Sequence, residues 1–315
     1  MSPRFPFHPF PIGWFQVAWS HELEVGQVLP LKYFGKDLVL FRTESGEAKV
    51  LDAFCAHLGA HLGHGGTVEG ETVRCPFHAW KFKGDGSCAE IPYAKKIPKL
   101  ARMRAWHTRD VNGLVLVWHH PDGLEPQWEV PAVPEVTDDA WTDFKTRRWK
   151  IRTHNQEMAE NAVDSAHFHY LHGTQNLPAS TATQHGHLLH VQSPTISRAH
   201  GMDVEGEIDV HCYGFGFTTT RFRGIVETLL VSSCTAIEGE HVDVRFSFLV
   251  KKVGGASVTE GIGRAYIAEI ERQLEQDIPI WENKVYMDPP VLCDGDGPIG
   301  KFRKWCKQFY VKPAA

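Results

Sequence analysis

No apolar run in this 315-residue chain approaches the roughly 18 residues that a membrane-spanning helix needs. Cysteine is sparse and odd in number, seven residues scattered at 55, 75, 88, 212, 234, 293 and 306. That is no disulfide framework, and it fits a reducing compartment. Basic runs are missing too: 33 Lys and Arg face 38 Asp and Glu, for a net charge of −5. This balance argues against a nucleic-acid partner. Internal repeats and low-complexity segments are absent. The opening MSPRFPFHPFPIGW has four prolines and no continuous apolar stretch, so it does not read as a signal peptide. The expectation is a soluble, cytoplasmic protein without a transmembrane segment.

What is present is enough for a sizeable core. Hydrophobic residues make up 42% of the chain, and the length suggests two domains. KDLVLF (37–42) and AKVLDAF (48–54) flank a turn containing Gly46 and read as a hairpin. ETVRCPF (71–77) and GLVLVW (113–118) read as further strands, so the first 120 residues look all-β. Residues 121–140 carry Pro121, Pro126, Pro131 and Pro134, a density that suits an extended connector. The expected organisation is a β domain over 13–120, the connector, and a second domain over 141–315. In that second domain, WKIRT (149–153) reads as a strand and 155–171 as one helix. Alternation dominates 207–251, and 256–286 reads as a long closing helix before Pro289 and Pro290. Strands followed by a long C-terminal helix give an α+β fold with an antiparallel sheet.

Two residue constellations point to metal. Cys55-Ala-His57 and Cys75-Pro-Phe-His78 are separated by 17 residues and surrounded by Gly59, Gly63, Gly65 and Gly66. Two thiolates and two imidazoles suit a tetrahedral zinc. They suit equally a [2Fe–2S] centre with cysteines on one iron and histidines on the other. His61 and His64 lie nearby but outside that pattern. The second constellation is on the 155–171 segment, where a helix would put Asn161, Asp164 and His167 on one side. His167 and His172 would sit roughly 140° apart on an ideal helix, so they share a metal only if the helix ends or bends between them. His169 and His172, three apart, compete. On the closing helix Asp277 sits amid Ile270, Leu274 and Trp281, whereas Glu271, Glu275 and Glu282 point elsewhere. A carboxylate on an apolar stripe must be paired, protonated or metal-bound.

Cys-x-His…Cys-x-x-His, followed by Ala79-Trp80 and KFKGDG, together with Asn161-x-x-Asp164-x-x-His167-x-x-x-x-His172, resembles the Rieske non-heme iron oxygenases. The resemblance implies an N-terminal all-β Rieske domain and a helix-grip (START-like) catalytic domain. It implies a [2Fe–2S] cluster on Cys55, His57, Cys75 and His78, and mononuclear Fe(II) on His167, His172 and Asp277 with open positions for O₂ and substrate. Asp164 would bridge electrons, one carboxylate oxygen accepting from the free ring N–H of His167 and the other from His78 of a neighbouring subunit. Family members are head-to-tail trimers served by a separate flavin-containing NAD(P)H reductase, or a ferredoxin plus reductase. No nicotinamide or flavin fingerprint occurs in this chain.

IPYAKKIPK (91–99), NQEMAENAVDSAHF (155–168) and QDIPIWENKVYMDPP…RKWCKQFY (276–310) are most similar to the 3-ketosteroid 9α-hydroxylase oxygenases and the cholesterol 7-desaturases. The expected activity is therefore hydroxylation of a bulky apolar substrate such as a steroid. Desaturation, or attack on a smaller aromatic or alkaloid-like molecule, would use the same constellation. Residues 173–194 depart from the hydroxylase pattern. Tyr213, Phe215, Phe217, Phe246 and Phe248 could line an apolar cavity or form plain core. The non-enzyme alternatives are a Rieske electron carrier, or a lipid-binding helix-grip module whose metal sites are structural.

Overall fold

The computed structural model describes residues 4–174, 179–199, 202–224 and 226–311. The chain divides within the proline-rich stretch into two compact units, Trp14–Ala132 and Val133–Ala315, the second joined by the N-terminal residues up to Gly13. Among the described residues no helix is long and apolar enough to cross a membrane.

The first unit is built from short antiparallel strands. Val28–Tyr33, Lys36–Arg42, Ala48–Asp52 and Ala105–Trp106 form one sheet. Thr67–Glu69, Thr72–Arg74, Lys81–Lys83 and Cys88–Glu90 form another. Val39, Phe41, Leu51, Leu62, Val73 and Phe82 make the core between them, and Cys55 and Cys75 are part of it. The apolar run 114–118 is buried along its whole length, as expected of a strand with no polar alternation.

The second unit is a seven-stranded antiparallel sheet. Its order is Lys145–Arg152, His241–Val250, Thr228–Glu238, Thr218–Arg223, Met202–Tyr213, Leu188–Ala199 and Thr181–His185. The stretch 173–194, which carried no strand signal, supplies two of these strands. Pro194 is tolerated there because the outer strand pairs only as far as Gln192, leaving an edge beyond it. Val242, Val244, Phe246, Phe248 and Val250 share one face and pack with Ile267, Leu274 and Trp281 of the long helix Ala256–Asn283.

The 155–171 segment is not one helix. It forms α1 (Asn155–Glu160) and α2 (Ser165–Tyr170). Asp164 has extended backbone angles, and its carboxylate accepts the amides of Ala166 and His167. An aspartate offered that capping geometry competes with helix continuation. Gly297, at φ +69°, closes against this turn: a Cβ there would lie 2.7 Å from the carbonyl oxygen of Val163. The long helix, α3 (Ala256–Asn283), ends three residues earlier than expected. A further helix, α4 (Ile299–Cys306), buries Phe302, Trp305 and Cys306. Its Arg303 grips Glu160 through both guanidinium branches, at 2.7 and 2.8 Å.

Both partners of this pair are largely buried, so removing the arginine strands a carboxylate. Arg303→Ala should lower unfolding free energy by about 3 kcal/mol, read from the urea midpoint. A loss below about 1 kcal/mol, the value of an exposed pair, would show that the pair does not anchor α4.

Candidate metal centres

In the first unit, each cysteine opens a tight loop. The Cys55 amide donates to the carbonyl of Ala60 and the Cys75 amide to that of Trp80, both at 2.8 Å. Ala79, at φ +60°, makes the turn of the second loop. These loops bring the predicted ligands together in pairs, Cys55 beside Cys75 and His57 beside His78. The cysteines are buried, while His57 and His78 are half-exposed with ring centroids 4.7 Å apart. His57 stacks on Trp80 at 4.6 Å, and its Nδ1 is buried without a hydrogen-bond partner. Burial, reinforced by the neighbouring Cys75, pushes the Cys55 thiol up to about 11. Metal binding must therefore displace a firmly held proton.

The donor set fits a two-iron cluster better than one zinc. Ligands of one tetrahedral ion stand within about 4 Å of each other, given metal–ligand bonds of about 2.0–2.3 Å. Among the described residues, no three of Cys55, His57, Cys75 and His78 bring their ligand atoms within 4.8 Å of one another. The split between buried sulfur and accessible imidazole also matches a cluster with an inner and an outer iron. His61, whose Nδ1 accepts the Gly63 amide, and His64 stand apart from this set.

In the second unit, His167, His172 and Asp277 converge, with all ligand atoms within 4.8 Å. The wide spacing of the two histidines is resolved at the end of α2. There the amide of His172 donates to the carbonyl of His167 at 3.3 Å. This five-residue step widens the turn in the manner of a π-bulge, so residues five apart come onto one side. His169 is turned away, its Nδ1 2.5 Å from the carbonyl oxygen of Thr174. His172 Nε2 lies 3.6 Å from Asp277 Oδ1. Asp277 is 7% exposed and no salt-bridge arginine or lysine is found on it among the described residues.

Hydrogen bonds fix which nitrogen each ring presents. His172 Nδ1 donates to Gln276 Oε1 at 3.0 Å, and His167 Nδ1 to the main-chain oxygen of Asp164 at 2.5 Å. Both Nε2 atoms are left for a metal. The His167 partner differs from the expected one: the Asp164 carboxylate caps α2, and its Oδ2 stands 3.8 Å from the ring. Burial opposes the charge on Asp164, but His167 and the two capped amides outweigh it and hold the carboxyl below its ordinary range. Burial likewise opposes protonation of His172, while Asp277 and Gln276 outweigh it and raise that histidine. Asn161 Nδ2 donates to Asp277 Oδ2 at 2.9 Å. The support from Gln276 and Asn161 was not read from sequence, because it depends on two helices meeting.

A cavity of about 210 Å³ opens on this triad. Phe215 and Phe246 line it along with Ile208, Val210 and Leu230, and Thr218, Thr220 and Ser232 contribute hydroxyls. Phe217 and Phe248 are plain core.

Comparison with known proteins decides what this pair of sites belongs to. The Rieske [2Fe-2S] domain matches residues 13–101, and the 3-ketosteroid 9alpha-hydroxylase C-terminal domain matches 117–310. The chain belongs to the 3-ketosteroid 9α-hydroxylase family of Rieske oxygenases. A probable 3-ketosteroid-9-alpha-monooxygenase oxygenase component of Rhodococcus rhodochrous is 34% identical, over 95% of this chain and 79% of the relative. Cholesterol 7-desaturase of Ciona intestinalis is 32% identical, over 96% and 69%. Among solved structures, NdmA of Pseudomonas putida CBB5 with caffeine superposes with a TM-score of 0.77 at 18% identity, covering 93% of this chain and 89% of that one. Dicamba monooxygenase bound to dicamba gives 0.76 at 15%, covering 94% and 96%. These two likenesses speak for the fold. As a Rieske oxygenase, the protein uses a [2Fe–2S] cluster, a mononuclear iron and O₂, with electrons from a separate reductase.

Anaerobically purified oxygenase should contain about three irons per chain, about two of them released with acid-labile sulfide. Asp277→Ala should lose the remaining iron and keep the cluster absorbance. Asp277→Asn, whose amide oxygen still coordinates without charge, should lose less. Unchanged iron in Asp277→Ala would make the carboxylate structural.

Proposed function

We propose that Cys55 and Cys75 hold one iron of the cluster, His57 and His78 the other, and His167, His172 and Asp277 the mononuclear iron. The chemistry these groups supply when bound is one-electron delivery and O₂ activation at an open coordination face. The substrate we assign is a bulky apolar molecule of the steroid class, hydroxylated at a carbon presented to that face. The observation that carries this reading is the apolar cavity opening directly onto the His167–His172–Asp277 group. Similarity to steroid-directed relatives over almost the whole chain supports it.

The protein's own groups orient and exclude. Phe215, Phe246 and Leu230 seat an apolar skeleton and keep water off the reacting carbon. Thr218, Thr220 and Ser232 offer hydroxyls to a substrate oxygen, such as a ketone, at the wall of the cavity. Asn161 and Gln276 hold Asp277 and His172 in place, so the ligands do not swing as substrate enters. The volume of the cavity favours a second reading. It is below the roughly 300–1,000 Å³ of ordinary ligand sites, which suits a smaller aromatic or alkaloid-like molecule that is hydroxylated or demethylated.

A panel of 3-ketosteroids, sterols and small N- or O-methylated aromatics, tested for substrate-dependent O₂ uptake and product mass, separates these readings. The steroid reading expects hydroxylated or desaturated steroid with uptake coupled to product. Uptake coupled only to the small aromatics would replace it.

For electron delivery we propose a homotrimer in which the cluster of one chain serves the iron of its neighbour through Asp164, with a flavin-containing NAD(P)H reductase as the donor. A cytoplasmic location is our reading of the free thiols. Asp164 is partly exposed next to His167, and its Oδ2 is not engaged in the helix cap. Asp164→Asn should keep both iron sites but leave the cluster reduced, without product, when the reduced enzyme meets O₂ and substrate in a single turnover. Cluster reoxidation coupled to product at the normal rate would remove Asp164 from the path.

A further inference from the structure

The catalytic sheet carries a second set of metal-type donors, partly within the stretch where the chain departs from the hydroxylase pattern. His190, Asp209 and His211 offer two imidazole nitrogens and a carboxylate oxygen, all within 4.8 Å of one another. The sheet register imposes this grouping. His190 stands directly opposite His211 on neighbouring antiparallel strands, and Asp209 is two residues before His211 on the same strand. All three side chains therefore rise from one face. It is the face away from the iron-site cavity, because the alternating Val210 and Cys212 line that cavity.

His190 Nε2 lies 2.6 Å from Asp209 Oδ1, and His211 Nδ1 lies 3.7 Å from the same oxygen. The two rings stack with centroids 4.2 Å apart. A His–Asp ion pair accounts for His190 but leaves His211 unexplained. Its Nδ1 is buried and without a hydrogen-bond partner, too far from the carboxylate to bond it. An ion at the shared edge of the two rings, beside Asp209 Oδ1, would give that nitrogen its partner. Asp209 Oδ2 lies 3.5 Å from Arg223 Nη2, which turns Oδ1 towards the histidines. The nearby cations have counter-charges of their own: Arg223 is paired with Glu207, and Arg221 with Glu135 at 2.7 Å. The imidazoles are about a quarter exposed, at 26% and 23%, so water can complete the coordination.

We propose that His190, Asp209 and His211 form a binding site for a divalent transition metal of the zinc class, separate from both iron centres. Two imidazoles, one carboxylate and a water make a complete tetrahedral set for such an ion. Bound there, it would tie the strands Leu188–Ala199 and Met202–Tyr213 together.

The test is calorimetric titration of Zn²⁺ into the iron-loaded protein, with iron content measured before and after and thermal unfolding run in parallel. One Zn²⁺ should bind per chain without iron release, and the unfolding temperature should rise. His190→Asn and His211→Asn should each weaken this binding by at least about tenfold and abolish the thermal shift, with iron content and cluster spectrum unchanged. His190 already forms an ion pair at the surface and is about a quarter exposed, so His190→Asn decides the matter even if His211→Asn fails to fold. Absence of binding, binding of equal strength in His190→Asn, or binding only with iron release would each overturn the proposal.

Discussion

Two irregularities, the interruption of the helix between Glu160 and Ser165 and the five-residue step at the end of α2, are the constraint on which the candidate iron site depends. On a continuous helix His167 and His172 would diverge by roughly 140°, and Asn161 would continue the same stripe as Asp164. The Asp164 cap restarts the helix, and the five-residue step at its end brings the two imidazoles together. Neither irregularity is free-standing. The turn rests on Gly297, where only a missing Cβ allows the approach to Val163, and α1 is tied to α4 through Glu160 and Arg303. Burying a bidentate pair makes sense where register matters more than net stabilisation, since such a pair is strongly penalised when broken.

The two metal sites use burial differently. In the first unit the thiols are buried and the imidazoles half-exposed, so the cluster proposed for them would have its thiolate-bound iron inside and its imidazole-bound iron near the surface. Neutral imidazole in place of thiolate would raise the reduction potential of such a cluster. In the second unit the carboxylate is buried together with His172, and it is held by the Asn161 amide instead of by an arginine or lysine. A lysine or arginine there would repel the metal. The long helix delivers Asp277 from an apolar stripe into a largely apolar cavity, where its charge must be hydrogen-bonded, paired or coordinated, and Asn161 and His172 are the partners it meets.

Much of this was legible in the sequence because spacing within a loop or along a helix is local information. Cys-x-His and Cys-x-x-His need only a tight turn each, and Asp277 stood out by interrupting an otherwise apolar face. The break at Asp164 was not legible, since Asn-x-x-Asp-x-x-His is equally compatible with an unbroken helix until capping geometry is seen. The strands over 181–199 were hidden for another reason. Their partners are close in sequence, with His185 opposite Leu188 and Ala199 opposite Met202, but Thr181–His185 is almost entirely exposed and Pro194 interrupts the longer strand, so neither gives an apolar alternation. The hydrogen bonds from His172 to Gln276 and from Asn161 to Asp277 join residues about 100 or more apart, a juxtaposition that only the folded sheet and helix create.

The most direct test of the account is anomalous diffraction at the iron edge from crystals of the anaerobically purified oxygenase. It predicts a strong peak spanning Cys55, Cys75, His57 and His78, and a weaker single peak bounded by His167 Nε2, His172 Nε2 and the Asp277 carboxylate. A single ion among the first four residues, or no iron at the triad of a protein that still consumes O₂ with substrate, would contradict it.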